Sequence, residues 1–165
     1  MAEKTEDNED KEETPFINEP SSLDELTHSE LLLMHGEASK SLLFAKSIQW
    51  RSVGSTLLVY GGCIAIAVFT PADVAFARLL TALIIVLACG VIFLLIMYQF
   101  WQFNEINRLR EIDTNFSTLY IKINNTKSRR EASAHRYTIL LSMIVMVILG
   151  AIVSCISIAH LTSLK

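Results

Sequence analysis

The chain has 165 residues, 52% of them hydrophobic, and a formal net charge of −3 at pH 7. Because the hydrophobic residues concentrate in three uncharged blocks, they indicate membrane spans, and the remaining residues are too few for a separate globular domain of typical size. The first thirty residues include eleven acidic and two basic ones, and the rest of the chain has six acidic and twelve basic ones. These later basic residues flank the apolar blocks, where membrane orientation explains them, so no nucleic-acid surface is predicted.

Residues 1–21 are predicted to form a disordered acidic tail. The segment is polar, contains Pro15 and Pro20, and has Phe16 and Ile17 as its only sizeable apolar pair. It therefore cannot bury enough surface to offset the conformational entropy lost on folding. A solvated tail is the simpler interpretation, and a docking segment around Phe16 and Ile17 is the alternative.

A helix is expected to begin after this tail and to continue into the membrane. Ser22 with Glu25, and Thr27 with Glu30, each match a capping box, in which side chains satisfy free backbone N–H groups at a helix start. From Leu31 onward apolar residues recur at three- and four-residue steps. No proline follows until after the first apolar block, so the sequence predicts one helix of about 64 Å.

Three helical spans are predicted, each able to cross roughly 30 Å of hydrocarbon. They are Val53–Phe69, Leu79–Tyr98 and Tyr137–Ala159. A short turn joins the first two, and in it Pro71 is expected to end the first helix while Asp73 caps the second. So short a connection makes these two spans antiparallel neighbours.

Small residues inside the spans are predicted to serve helix packing. Gly61 and Gly62 would let another helix approach closely, and a kink or a pore-lining role is the alternative. Cys63, Cys89 and Cys155 each lie alone in a span without CxxC spacing. They are therefore interpreted as packing residues.

Aromatic and basic residues stand at the ends of the spans. Trp50 and Arg51 precede the first span, and Trp101 follows the second. Tryptophan and arginine are typical of the membrane–water interface, so these three residues are predicted to be interface anchors.

A short heptad seam is predicted on a continuation of the second helix. Its apolar residues repeat at three- and four-residue steps and are Leu109, Ile112, Phe116, Leu119 and Ile123. Because two heptads are too few for a free coiled coil, the seam is expected to pack against the juxtamembrane helix of residues 31–49 or against another copy of the chain. These five residues form the predicted interaction site.

The basic residues also predict the orientation of the chain. Ten of them lie shortly before the first span or between the second and third, and two lie on the other side, Arg78 and Lys165. The positive-inside rule therefore places the N-terminus and residues 100–136 in the cytoplasm, with a bacterial plasma membrane as the expected location. The predicted parts are the tail 1–21, a juxtamembrane helix with the two-span hairpin and a cytoplasmic helical loop 22–136, and the third span with its short C-terminal tail 137–165.

No constellation in the sequence supports catalysis or a cofactor. The histidines and acidic residues lack metal-ligand spacing, and there is no glycine-rich phosphate loop and no hydrolase motif. Apart from the thiols and Tyr60, the spans lack the titratable side chains that mark proton relays and ion-coupled transport. An enzyme, a bound cofactor and a monomeric transporter are therefore not expected.

The stretch 37–112 carries Ala38, Phe44 and the pair Trp50-Arg51 on a helix that leads into an apolar hairpin and out through a second helix. This layout resembles that of the small bacterial SLATT domains, which have two spans. The resemblance implies a membrane effector of a nucleotide-regulated defence system, with pore formation as its suggested mode of action. It covers about half of the chain, and the third span and the acidic tail lie outside the two-span pattern.

Two functions are carried forward from the sequence. The favoured one is a non-enzymatic adaptor or assembly factor, because the seam and the acidic arm offer surfaces for a partner. The alternative is an oligomeric pore or membrane-damaging effector, which the SLATT-like layout and the uncharged first span suggest. The expected partners are the lipid bilayer and either another protein or a second copy of the chain.

Overall fold

The computed structural model describes residues 17–70, 73–126 and 129–163, with the backbone alone for 129–133. Every regular element in these residues is an α-helix, and the four are α1 (Glu25–Phe69), α2 (Val74–Asp113), α3 (Thr118–Asn124) and α4 (Arg129–Ser163). The predicted all-α fold is confirmed, and three helices are long and apolar enough to cross a membrane. Most of the predicted tail lies outside the described residues.

The first helix is capped by Asp24, which corrects the predicted start at Ser22 or Thr27. The Asp24 carboxylate accepts a hydrogen bond from the backbone N–H of Thr27 at 3.1 Å, and its charge complements the positive end of the helix dipole. Hydrogen bonds from Thr27, its side chain first and its backbone second, lower the pKa of Asp24. From there α1 runs unbroken for 45 residues, about 67 Å, so the prediction of one long helix is confirmed.

The second helix begins at the predicted cap. The Asp73 carboxylate accepts a hydrogen bond from the backbone N–H of Ala75 at 2.9 Å, which satisfies one of the free donors of the first turn. Pro71, the predicted end of the first helix, lies outside the described residues. Helix α2 extends beyond the predicted span at both ends and is 40 residues long.

Contacts between α1 and α2 define an antiparallel hairpin. Gln49 of α1 contacts Leu95 of α2, and His35 lies 3.5 Å from Asp113. Residue numbers therefore fall along α1 as they rise along α2. The predicted antiparallel arrangement of the first two spans is confirmed.

The third long helix completes a single apolar core, because α4 packs against both α1 and α2. The buried core residues are Val53, Tyr60, Cys63, Leu80, Ile84, Ala88, Val91, Leu95, Met143, Val147 and Ile158. Cys63 belongs to this core and Cys155 packs against it, whereas Cys89 is exposed on α2. The packing role predicted for the cysteines therefore holds for two of the three.

Helices α1 and α4 approach each other closely at Gly150 of α4. A Cβ atom built there would lie 2.6 Å from Leu57 Cδ2 and 3.1 Å from Tyr60 Cδ2, so a larger residue at this position would require these side chains to move. Cβ atoms built at Gly61 and Gly62 would meet nothing within 4 Å. Gly61 and Gly62, for which helix packing was predicted, therefore do not pack against another helix in the described part of the chain. Gly150 is the glycine that does.

The prediction of one continuous helix through the heptad seam is wrong, because α2 ends at Asp113 and α3 begins at Thr118. Asn115 donates its side-chain N–H to the Glu111 carbonyl at 2.9 Å, and the Ser117 hydroxyl accepts from the Tyr120 backbone N–H at 3.3 Å. Short polar side chains of this kind compete with helical backbone hydrogen bonds and favour turns and caps. The turn lets α3 fold back toward α1.

Candidate interaction site in the polar layer

The residues outside the apolar spans form a second structural region, which we call the polar layer and define as residues 17–49 and 102–126. It contains the first part of α1, the last part of α2, and α3. The predicted interaction residues all lie in this layer, so its geometry bears directly on the candidate site.

An aromatic junction holds the polar layer together. Phe116, in the turn between α2 and α3, is buried. Its ring centroid lies 5.7 Å from that of His28, 6.1 Å from that of His35 and 4.8 Å from that of Tyr120, each with edge-to-face geometry. Such pairs contribute beyond the area they bury. The expected packing of the seam against the juxtamembrane helix is therefore found at Phe116.

Hydrogen bonds to one carboxylate surround this junction. The Tyr120 hydroxyl donates to Asp113 Oδ1 at 2.9 Å, and Asn124 Nδ2 donates to Asp113 Oδ2 at 2.7 Å. His35 Nε2 lies 3.1 Å from the Tyr120 oxygen. Because the single hydroxyl proton of Tyr120 points to Asp113, His35 must be the donor in its contact with Tyr120, and its Nε2 carries a proton.

The environment of Tyr120 keeps its hydroxyl protonated. Burial raises the pKa of Tyr120 to about 12, with further contributions from its hydrogen bond to Asp113 and from the negative charge of that carboxylate. At neutral pH the hydroxyl is therefore a reliable donor. The chain His35–Tyr120–Asp113 joins α1, α3 and the end of α2 through side chains up to 85 residues apart.

The junction consists of packed rings beside one hydrogen-bonded carboxylate. His28 Nδ1 is buried without a hydrogen-bond partner among the described residues, and the ring packs on Phe116. In the described part of the chain, no three histidine, cysteine or acidic side chains are grouped to hold a metal ion. The cysteines lie in the spans, so the junction contains no thiol nucleophile.

The segment that precedes α1 is hydrogen-bonded to α3. The Glu19 backbone N–H donates to Thr118 Oγ1 at 2.9 Å, and the Thr118 backbone N–H donates to the Glu19 carbonyl at 3.2 Å. The Leu119 N–H donates to Asn18 Oδ1 at 3.3 Å. These bonds satisfy free donors at the start of α3. The sequence predicted that Asn18 and Glu19 belong to the disordered tail 1–21. Residues 1–16 of that tail lie outside the described residues.

A buried glutamine pair lies where the polar layer meets the spans. Gln49 Nε2 donates to the Leu95 carbonyl at 3.1 Å, and Gln102 Nε2 donates to Gln49 Oε1 at 2.9 Å. Both side chains are almost fully buried, at 1% and 3% exposure, and burial without such bonds would be costly. Sequence reasoning missed this pair, although Gln49 stands four residues from Ala45 and from Val53 on the buried face of α1.

The glutamine pair also aligns the predicted interface anchors. Trp50 follows Gln49, and Trp101 precedes Gln102, so the two tryptophan residues lie at about one level along the bundle. Both tryptophans and Arg51 are exposed. This common level fits the predicted anchoring of the hairpin at a membrane surface, which stays a prediction.

The predicted interaction residues divide between the interior and the surface. Ile112 and Phe116 are buried and Leu109 is half-buried, whereas Leu119 and Ile123 are 43% and 65% exposed. The turn after α2 is the reason, because it rotates α3 out of the line of the seam. Only Leu119 and Ile123 therefore remain well placed to contact another molecule.

Comparisons with known proteins do not identify the chain. No family model, curated protein or solved structure matches it.

Proposed function

We propose that this chain is a non-enzymatic membrane adaptor or assembly factor that binds a protein partner through its polar layer. The observation that carries the proposal is a set of large apolar side chains exposed in this layer, among them Leu26, Leu32, Leu33, Leu119 and Ile123. Leu33 lies sixteen residues before Gln49, about 24 Å along α1, which is too far from the spans for contact with lipid chains. Leu26 and Leu33 lie seven residues apart on one face of α1, and Leu119 and Ile123 lie four residues apart on one face of α3, and such shared apolar faces are typical of protein-binding surfaces.

The proposal includes an orientation and a location. Ten basic residues near the spans on one side, against two on the other, favour a cytoplasmic N-terminus and a cytoplasmic polar layer. A bacterial plasma membrane is the proposed location. Reporter fusions after Ser128 and after Lys165 test the orientation. The proposed orientation is wrong if the reporter after Lys165 is active only in the cytoplasm and the reporter after Ser128 only outside.

Site-specific photo-crosslinking in intact cells tests the partner. A photoreactive residue replaces Leu33 or Ile123 in the full chain, and matched controls carry it at Glu37 and Lys122, which are exposed polar positions of the same helices. We expect one crosslinked protein of constant mass from the apolar positions and much less from the controls. Equal crosslinking at all four positions, or none at any, contradicts the proposal.

The second candidate is an oligomeric pore, and one observation favours it. Gly61 and Gly62 are exposed with open space around them, so a helix of another copy could approach closely. Against it, the large side chains exposed on the spans are apolar, for example Leu58, Ile66 and Val86, and offer water no polar lining. We expect no ion flux from liposomes that contain the protein. Flux that changes with Gly62→Leu supports the pore instead.

A further inference from the structure

One side of α1 carries large side chains that stay exposed in the folded chain. The residues that α1 buries, from Ala38 to Cys63, lie on the side that packs against the other helices. Two rows of large exposed side chains run along the opposite side. The first row is Leu32, Leu43 and Trp50, and the second is Leu33, Phe44 and Arg51. We call these six residues the outer rows of α1.

The spacing of the outer rows keeps them on one side of the helix. Within each row the steps are eleven and seven residues, which correspond to about three and two helical turns. Gly36, Ser47 and Gly54 lie between the rows, and a Cβ atom built at Gly36 or Gly54 would meet nothing within 4 Å. Because the distance between packed helices depends on the side chains at the contact, another helix can approach closely along this line.

Two copies of the outer rows complement each other when the two helices run parallel. Copies that insert into one membrane in the same orientation are related by an axis along the membrane normal, so their α1 helices run in the same direction. About a two-fold axis the same surface meets itself, and the first row of one copy lies beside the second row of the other. Leu32 then packs on Leu33 of the second copy. Leu43 packs on Phe44 of the second copy in the same way.

A polar contact of the same symmetry occurs at the predicted membrane surface. Trp50 and Arg51 follow Leu32 and Leu33 by eighteen residues, which is five helical turns at 3.6 residues per turn. The two-fold axis therefore places the Trp50 indole beside the guanidinium of Arg51 of the second copy. A cation over the face of tryptophan is attracted by the ring. An unrelated partner would need side chains in the complementary order, whereas a second copy has them.

The length of the exposed side also favours a second copy over a soluble partner. Helix α1 is about 67 Å long, and a strip roughly 10 Å wide along it has an area of about 700 Å². Stable interfaces bury about 600 to 1,000 Å² on each partner. A soluble partner reaches only the part of α1 up to Gln49, about 37 Å long and roughly 400 Å² in area. A second copy crosses the membrane beside the first and covers the whole strip.

We propose that the chain forms a parallel dimer in which the outer rows of two α1 helices pack together about a two-fold axis. The inference rests on the proposed function, because it names the partner that covers the α1 part of the exposed surface in the polar layer. Leu119 and Ile123 belong to α3 and are not part of this interface.

Disulfide formation between two copies of the full chain in native membranes tests the proposal. Ser47→Cys places a thiol between the outer rows with almost no change in side-chain size. The matched control is Glu30→Cys, an exposed position of the same helix turned by about 100° from Ser47. The native cysteines remain, so the wild type gives the background. We expect oxidation to convert most of Ser47→Cys to a product of twice the chain mass, and Glu30→Cys to give no more of it than the wild type.

Sedimentation of the purified full chain in detergent gives the dissociation constant of the dimer. Leu43→Glu should weaken the dimer about tenfold or more, because each copy loses a buried apolar contact. Leu119→Glu is the matched control, since it places the same charge at an exposed leucine of α3, and it should leave the dissociation constant unchanged. Both leucines are exposed in the single chain, so both variants are expected to fold.

The outcomes distinguish the dimer from the proposed function. A monomeric wild type, a dissociation constant unchanged by Leu43→Glu, or equal disulfide yields from Ser47→Cys and Glu30→Cys would each overturn the dimer. Photo-crosslinking at Leu33 then identifies what covers α1. A product that contains a different protein overturns the dimer and supports the proposed function, and no product at any position contradicts both.

Discussion

The apolar bundle and the polar layer are held together by different interactions. In the bundle, side chains from three helices pack into one core, and Gly150 of α4 leaves room for the side chains of Leu57 and Tyr60 of α1. In the polar layer, the edge-to-face rings around Phe116 and the hydrogen bonds on Asp113 connect short segments that are far apart in sequence. The bundle thus depends on shape and volume, and the polar layer on the pairing of a few polar and aromatic groups.

The polar layer should be more sensitive than the bundle to a single substitution. In the bundle each long helix packs against both others, so one substitution perturbs only part of these interfaces. The polar layer has few contacts, so loss of one central residue releases several segments together. We therefore expect its central residue to be the more sensitive position.

The largest effect is expected at Phe116, which lies at the centre of the junction. Phe116→Asp places a carboxylate among His28, His35 and Tyr120 in a buried position and should destabilise the protein by roughly 2 to 4 kcal/mol. The measurement is thermal unfolding in detergent. Ile123→Asp is the matched control, because Ile123 is exposed and should tolerate the charge. Equal melting of both variants and the wild type would mean that the junction does not stabilise the layer.

An intermediate effect is expected in the bundle, at Gly150. Gly150→Leu forces a side chain against Leu57 and the ring of Tyr60, and overpacking of this kind costs about 1 to 3 kcal/mol. Gly90→Leu is the control, since a Cβ atom there meets nothing within 4 Å. Thermal unfolding in the same detergent compares them. If Gly90→Leu destabilises the protein as much as Gly150→Leu, intrachain packing is not the reason for glycine at position 150.

The bundle was largely predictable from sequence, because long uncharged blocks and a short turn with a capping acid determine helices and their antiparallel order. The cap at Asp73 and the unbroken α1 are cases in which local chemistry and global fold agree. Gly150 was not predictable in the same way. Whether a glycine faces a neighbouring helix depends on where the two helices cross. The spacing of residues along one helix does not show this crossing point.

The polar layer was predicted less well, for a physical reason. Apolar spacing alone suggested a seam continuing from Leu109 to Ile123, but the side chains of Asn115 and Ser117 compete for backbone hydrogen bonds and end α2. Once the helix ends, the direction of α3 depends on contacts with His35 and Asp113 that no local pattern encodes. The buried glutamine pair was missed because a polar residue on an apolar face is recognised only when its partner is known.

The smallest expected effect is a pH dependence that belongs to the polar layer alone. The pKa of Tyr120 is raised from 10.0 to about 12 in the folded chain, so between these values the unfolded chain releases a proton that the folded chain retains. The stabilisation from Tyr120 is therefore fully present below pH 10 and is lost as the pH rises toward 12. Tyr120→Phe lacks this proton, so its deficit in thermal stability relative to the wild type should shrink across that interval.

Asn124→Ala keeps the Tyr120–Asp113 hydrogen bond, and its deficit should not shrink in this way. A deficit of Tyr120→Phe that stays constant from pH 9 to pH 12 would show that the hydroxyl does not couple the layer to proton binding, and that the rings around Phe116 hold the layer without it.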